Sequence, residues 1–217
     1  MKIEKGEKQI KVWGGEFGKQ YTKRNNFSFK ELNNMYLKNY GISRTELNNT
    51  FVGRLNREIR ILEVGSNMGN QLLCLQEMGF KNLYGIDINK YAIGFSKKKT
   101  KNVNIIEGSI LDIPYKDRYF DLVFTSGVLI HIAPSNIKKA LKEIYRCSNR
   151  YIWGFEYYSK KYESIQYRGR KDLLWKTNFS RLYLDQFNNL KLVKEKILKY
   201  VEDDNLDAMF LLKKINE

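Results

Sequence analysis

The chain has 217 residues, 42% of them apolar and 14% aromatic, enough to bury one sizeable core with a small appendage and too few for two full domains. Its 39 Lys and Arg against 24 Asp and Glu leave a formal net charge of +15, which raises an anionic partner such as nucleic acid, a membrane surface or an acidic metabolite. The excess is mostly Lys spread from Lys2 to Lys214 among many Asn and Ile residues, so the composition of an AT-rich genome explains it as well as a binding surface does.

In chain order, Ser28-x-x-Glu31 and Ser43-x-x-Glu46 each fit a capping box ahead of a helical segment, and residues 1–59 read as a helical N-terminal cap on a domain spanning 60–217. From Arg60 onward short apolar runs alternate with stretches of helical period: Ile61 to Val64, Leu83 to Ile86, Val103 to Ile106, Phe120 to Phe124 and Tyr151 to Phe155. Runs of this kind are strands buried on both faces, hence a parallel α/β sheet. Ile137, Ala140, Leu141, Ile144 and Tyr145 recur along one helix face, with Ser135 as the expected N-cap. A polar, aromatic stretch from Glu156 to Trp175 follows, then a helix near Ser180 to Phe187. Segments around Leu190 to Tyr200 and Ala208 to Lys214, parted by Glu202-Asp203-Asp204-Asn205, read as a terminal antiparallel hairpin.

Cys74 and Cys147 stand inside apolar periodic segments, without the paired spacing of a disulfide scaffold or zinc site, which fits a reducing compartment. No run of about 18 apolar residues occurs, and the charged N-terminus has no apolar stretch behind it. A cytoplasmic protein without a membrane span is expected, and no metal constellation is visible.

Chemistry concentrates at Glu63-Val64-Gly65-Ser66-Asn67-Met68-Gly69-Asn70, between a strand and a helix. A glycine turn there lets backbone approach a ligand at a helix N-terminus. Asp87, 18 residues beyond Gly69, ends the second strand, where a carboxylate accepts hydrogen bonds from both ribose hydroxyls. The loop has Gly65 and Gly69 but lacks the middle glycine that a dinucleotide pyrophosphate prefers. Glu63, two residues before Gly65, suits a ligand bearing an ammonium group, as S-adenosylmethionine does.

These residues resemble the class I S-adenosylmethionine-dependent methyltransferases, whose E/D-x-G-x-G-x-G loop matches Glu63, Gly65 and Gly69 and departs at Asn67. Asn tolerates positive φ, so the turn survives the change. The resemblance implies a doubly wound seven-stranded, mostly parallel Rossmann-like sheet whose last strand is antiparallel. It also implies S-adenosylmethionine as cofactor, held by Glu63, Gly65, Ser66, Asn67, Gly69, Asn70, Asp87, Ile88, Ser109, Ile110 and Ser126. In the narrower flanks, Trp13-Gly14-Gly15-Glu16-Phe17-Gly18, Gly127 to Ile132, Tyr145-Arg146-Cys147-Ser148 and Tyr167-Arg168-Gly169-Arg170 are similar to the pseudaminic-acid-biosynthesis-associated methylases. That similarity implies a small acceptor, a nonulosonic-acid-type or other surface-glycan sugar intermediate.

His131, the single histidine, follows the fourth strand and is a candidate base for a hydroxyl or amine acceptor. Glu156, ending the fifth strand, is its rival. Arg168 and Arg170 are candidates to clamp an anionic sugar or nucleotide-sugar substrate, with Trp13, Tyr157 and Tyr158 beside it. Tyr21 and Arg24 join Trp13 as a lid over cofactor and substrate. Two alternatives stand beside this one: an RNA or DNA methyltransferase, which the charge permits, and a non-catalytic methyltransferase-like binding subunit.

Overall fold

The computed structural model describes residues 5–215. Four helices come first: α1 (Lys5–Gly14), α2 (Glu16–Arg24), α3 (Phe29–Tyr40) and α4 (Arg44–Val52). Both capping boxes form, with Ser28 and Ser43 accepting from the N–H groups of Glu31 and Glu46 while those carboxylates reach back. The α/β part then runs β1 (Arg60–Val64), α5 (Asn70–Glu77), β2 (Asn82–Asp87), α6 (Lys90–Lys99), β3 (Asn104–Glu107), β4 (Phe120–Ser126) and α7 (Pro134–Cys147). It continues through β5 (Ser148–Tyr157), β6 (Glu163–Tyr167), β7 (Arg170–Lys176), α8 (Phe179–Gln186), β8 (Leu190–Lys199) and β9 (Leu206–Lys214).

Seven strands form one sheet in the order β3-β2-β1-β4-β5-β9-β8, with β6 and β7 a separate hairpin. The first five pair in parallel and β9 runs antiparallel to both β5 and β8. Alternation along each strand feeds two cores: Leu62, Val64, Val123 and Ile152 pack on one face, Ile61, Leu122, Phe124 and Trp153 on the other. The order reverses between β1 and β4, which opens a crevice at their carboxyl ends, where ligands of such sheets bind.

One expectation is corrected, and one segment without an assigned element takes a defined form. Helix α7 is capped by Ala133, with Pro134 opening its first turn, so Ser135 lies inside the helix; proline's fixed φ sets the start two residues earlier. The stretch 156–175 contains the β6–β7 hairpin, closed by Arg168 (φ 48°) and Gly169 (φ 75°), a pair of left-handed residues that makes a type I′ turn without the usual Asn.

Candidate active site

The crevice opens into a cavity of about 380 Å³. One end is the turn after β1, where Gly65 has φ 75° and a Cβ would stand 2.6 Å from Val128 Cγ2. Asn67 takes φ 47° and Gly69 φ 76°, so the asparagine occupies the left-handed position that the missing glycine leaves to it. Asn67 N–H donates to Asp87 Oδ2 and Asn89 N–H to Asp87 Oδ1, both at 2.7 Å. Burial raises the Asp87 carboxyl above its ordinary range while these bonds pull it down. Glu63 is 2% exposed and its Oε2 has no hydrogen-bond partner; burial raises its pKa well above the ordinary value.

Gly65, Ser66, Asn67, Asn70, Ile88, Ser109, Ile110 and Ser126 line the cavity with Glu63 and Asp87. The donor set fits the predicted cofactor. An ammonium would supply the partner Glu63 lacks and ribose hydroxyls would complete Asp87, and the unpartnered Ser66 Oγ and Gln71 Oε1 stand on the same wall.

Helices α1 and α2 roof the cavity. Asn67 Nδ2 donates to Thr22 Oγ1 at 3.0 Å and Asn89 Nδ2 to the Trp13 carbonyl at 2.9 Å, which ties the roof to both cofactor loops. Trp13 and Tyr21 line the space, their rings 5.4 Å apart. Arg24, predicted beside them, is exposed on the outside of α2.

His131 lines the cavity on the short 3₁₀ turn Leu129–His131, its ring centre 4.2 Å from that of Trp13. Its Nδ1 lies 2.7 Å from the Leu173 carbonyl oxygen. A carbonyl only accepts, so Nδ1 carries the proton and Nε2 keeps a lone pair. Burial lowers the imidazole pKa to about 4 against that bond, leaving a neutral base at ordinary pH.

Glu156 does not share this role. On β5 Phe155 and Tyr157 line the cavity while Glu156, between them, does not, as strand alternation requires. It is 1% exposed and accepts from Val128 N–H (3.2 Å) and Ile130 N–H (3.4 Å). It is therefore the anchor of the turn that carries His131, with a pKa that burial pushes up to about 7.

The predicted anion clamp is also corrected. Arg168 and Arg170 are exposed at the β6–β7 turn, Arg168 over the Tyr167 ring at 5.8 Å and Arg170 over Phe17 at 5.2 Å. Neither lines the cavity, although Tyr167 beneath Arg168 does, and Tyr158 is off the wall too. Among the described residues no Lys or Arg side chain lines this cavity, whereas Glu63, Asp87 and Asp207 do.

Sequence reasoning gave no role to Asp207, Tyr36, Tyr40, Phe155 or Tyr200, which form the far end. The one available signal was an acid heading the apolar run Ala208-Met209-Phe210-Leu211-Leu212. Arg44, wholly buried behind this wall, donates to Tyr36 Oη (2.7 Å), Asn48 Oδ1 (2.8 Å) and Ser126 Oγ (3.3 Å).

Residues 62–150 match the family described as a methyltransferase domain. An uncharacterized methyltransferase of Staphylococcus carnosus is 29% identical over 133 residues, 61% of this chain and 58% of that protein. A phosphoethanolamine N-methyltransferase of Plasmodium falciparum is 22% identical over 66% of this chain and 64% of its own length. The similarity thus spans about three-fifths of these curated relatives. The crystal structure of 1,6-didemethyltoxoflavin-N1-methyltransferase from Burkholderia thailandensis, which holds 1,6-didemethyltoxoflavin and S-adenosylhomocysteine, superposes with a TM-score of 0.73 at 12% identity, covering 100% of this chain and 93% of that one. Residues 62–150 are thus similar to a methyltransferase domain, and the chain has the seven-stranded Rossmann-like fold of its structural neighbour.

Proposed function

We propose that the protein transfers a methyl group from S-adenosylmethionine to a small acceptor bound beneath the α1–α2 roof. The observation that carries this reading is one cavity holding both the Asn67–Asp87 turn, with the unpartnered Glu63 oxygen, and the lone pair of His131 Nε2. When bound, S-adenosylmethionine supplies an electrophilic methyl on a sulfonium and leaves as S-adenosylhomocysteine. Glu63 holds the ammonium, Asp87 the ribose, and Ser109 with Ile110 the adenine side. The roof excludes water and fixes the acceptor in line, the main source of rate in such a transfer. His131 Nε2 receives the acceptor's proton as its lone pair takes the methyl.

The flanking motifs favour a nonulosonic-acid-type or other surface-glycan sugar intermediate as acceptor. The named substrates of the relatives, phosphoethanolamine and 1,6-didemethyltoxoflavin, are small molecules as well. An RNA or DNA acceptor is less well supported, because among the described residues the cavity wall offers no cation to a phosphate backbone; the same lack leaves a sugar carboxylate without a partner, so within the sugar class the wall favours an acceptor that presents an uncharged or amino group. The test is calorimetry with S-adenosylmethionine, S-adenosylhomocysteine and NAD, followed by methyl-transfer assays across sugars, nucleotide-sugars and RNA. Preference for NAD overturns the cofactor assignment. Faster transfer to RNA than to every sugar overturns the acceptor class.

A further inference from the structure

The cofactor accounts for two of the three carboxylates on the cavity wall, Glu63 and Asp87. Asp207 stands apart. It heads β9 opposite Tyr157 at the end of β5, three strands from β1 and so ~14 Å across the sheet from the glycine turn at the usual strand spacing. It is 1% exposed, yet its Oδ1 has no hydrogen-bond partner. Its Oδ2 accepts from the hydroxyls of both Tyr40 and Tyr200, the latter at 3.2 Å.

Around this carboxylate the rings close a box. Tyr40 lies 4.7 Å from Tyr200 and 5.9 Å from Phe155, and Tyr36 lies 5.3 Å from Tyr40 and 5.6 Å from Phe155, centre to centre. Two cations are near but neither lines the space. Lys176 sits over the Tyr157 ring at 5.5 Å and bonds Asn205 Oδ1, and Arg44, which donates to Tyr36, Asn48 and Ser126, lies behind the wall over one face of Tyr36 and of Phe155, at 5.1 and 4.8 Å, so a ligand meets those two rings from the other side. Aromatic faces carry the negative end of a quadrupole, and a buried carboxylate with a vacant acceptor oxygen has the same sign. An anion is repelled there by both, a neutral group gains from one hydrogen bond alone, and an ammonium gains from carboxylate and rings together.

We propose that Asp207, Tyr36, Tyr40, Phe155, Tyr157 and Tyr200 form the acceptor subsite, which recognises its ligand through an ammonium group. The term acceptor rests on the methyltransferase reading; the cation site does not. An amino group on a sugar skeleton meets the requirement as well as one on a simple amine. Asp207 acts here as the anchor for charge, and the methyl-accepting lone pair lies nearer His131.

The experiment titrates three probes of one shape into the full chain, with and without saturating S-adenosylhomocysteine: choline, neutral 3,3-dimethylbutan-1-ol and anionic 3,3-dimethylbutyrate. Choline is expected to bind at least tenfold more tightly than the neutral probe, with the anion weakest. Asp207→Asn is expected to bring choline and the neutral probe within about twofold. Should that variant fail to fold, Tyr40→Leu keeps the carboxylate and is expected to lower the choline preference at least threefold. Equal binding of choline and its neutral isostere by the wild type, or preference for the anion, overturns the proposal. Absence of S-adenosylhomocysteine binding overturns the methyltransferase reading instead, because the comparison without it still reports on the cation site.

Discussion

The backbone N–H of Asn67 donates to Oδ2 of Asp87 at 2.7 Å, so the asparagine at the middle position of the glycine turn is fastened to the carboxylate proposed to receive the ribose. The turn after β1 and the end of β2 therefore form one unit.

Asp87→Ala is accordingly expected to weaken S-adenosylmethionine and S-adenosylhomocysteine together. Loss of a hydrogen bond to a charged, buried group costs about 1.5–3 kcal/mol, roughly 10- to 150-fold in affinity. Calorimetric titration checks this, and wild-type affinity in the variant would remove Asp87 from the ribose site.

His131→Gln is expected to lower kcat by roughly 10² to 10⁴ with cofactor affinity nearly unchanged. Because burial holds the imidazole pKa near about 4, the wild type should show no loss of its base between pH 8 and 5. An acid limb centred near the ordinary histidine value in the kcat profile would contradict the assignment.

The same shift makes a stability prediction. Below about pH 6.5 the unfolded chain takes up a proton on His131 that the folded chain refuses until about pH 4. The wild type should therefore lose stability relative to His131→Gln as pH falls through that window, by up to about 3 kcal/mol, and match its high-pH difference above it. For Glu156 the sign reverses. Its folded pKa is raised to about 7, so its burial penalty is fully present above pH 7 and shrinks as pH falls toward its ordinary value. Urea melts of both variants from pH 4 to 8 separate the two.

Glu156→Gln exchanges one accepting oxygen for an NH₂ that faces the N–H of Val128 or Ile130. A cost on the order of 1–3 kcal/mol in stability is expected, with a fall in kcat as the turn bearing His131 shifts. A variant with normal stability and turnover would show that the turn holds without this anchor.

Arg168→Asn should leave the KM of any acceptor within twofold, since the guanidinium faces away from the cavity and Asn-Gly suits the I′ turn at 168–169. A large rise in KM, measured by steady-state kinetics, would return Arg168 to the substrate site.

The parallel strands, helix α7 and the two capping boxes were legible because each rests on contacts within a few residues: apolar runs, a 3.6 period, a serine three positions before a glutamate. The cofactor end was legible for the same reason, since Glu63, Gly65, Asn67 and Gly69 are neighbours in sequence and Asp87 is one βαβ step away. The β6–β7 hairpin was not. In its strands Glu163–Tyr167 and Arg170–Lys176 the buried residues Leu173, Leu174 and Trp175 are consecutive rather than alternating, and Arg at the first turn position gives no hairpin signal. The far end of the cavity was hidden by distance along the chain: Tyr40 and Asp207 meet across 167 positions. Arg168 and Arg170 misled because residue type favours an anion clamp while the turn points both guanidiniums outward.

A chain carrying +15 overall encloses a cavity whose wall, among the described residues, bears three carboxylates and no Lys or Arg. The exterior field gathers anions that the interior then refuses, so sorting by sign occurs at the mouth rather than on arrival at the surface. The proposed transfer step would also change the cargo's charge, because a sulfonium would enter and a neutral thioether remain. An acidic interior grips the first more than the second, and the reaction itself thereby loosens the hold on its by-product.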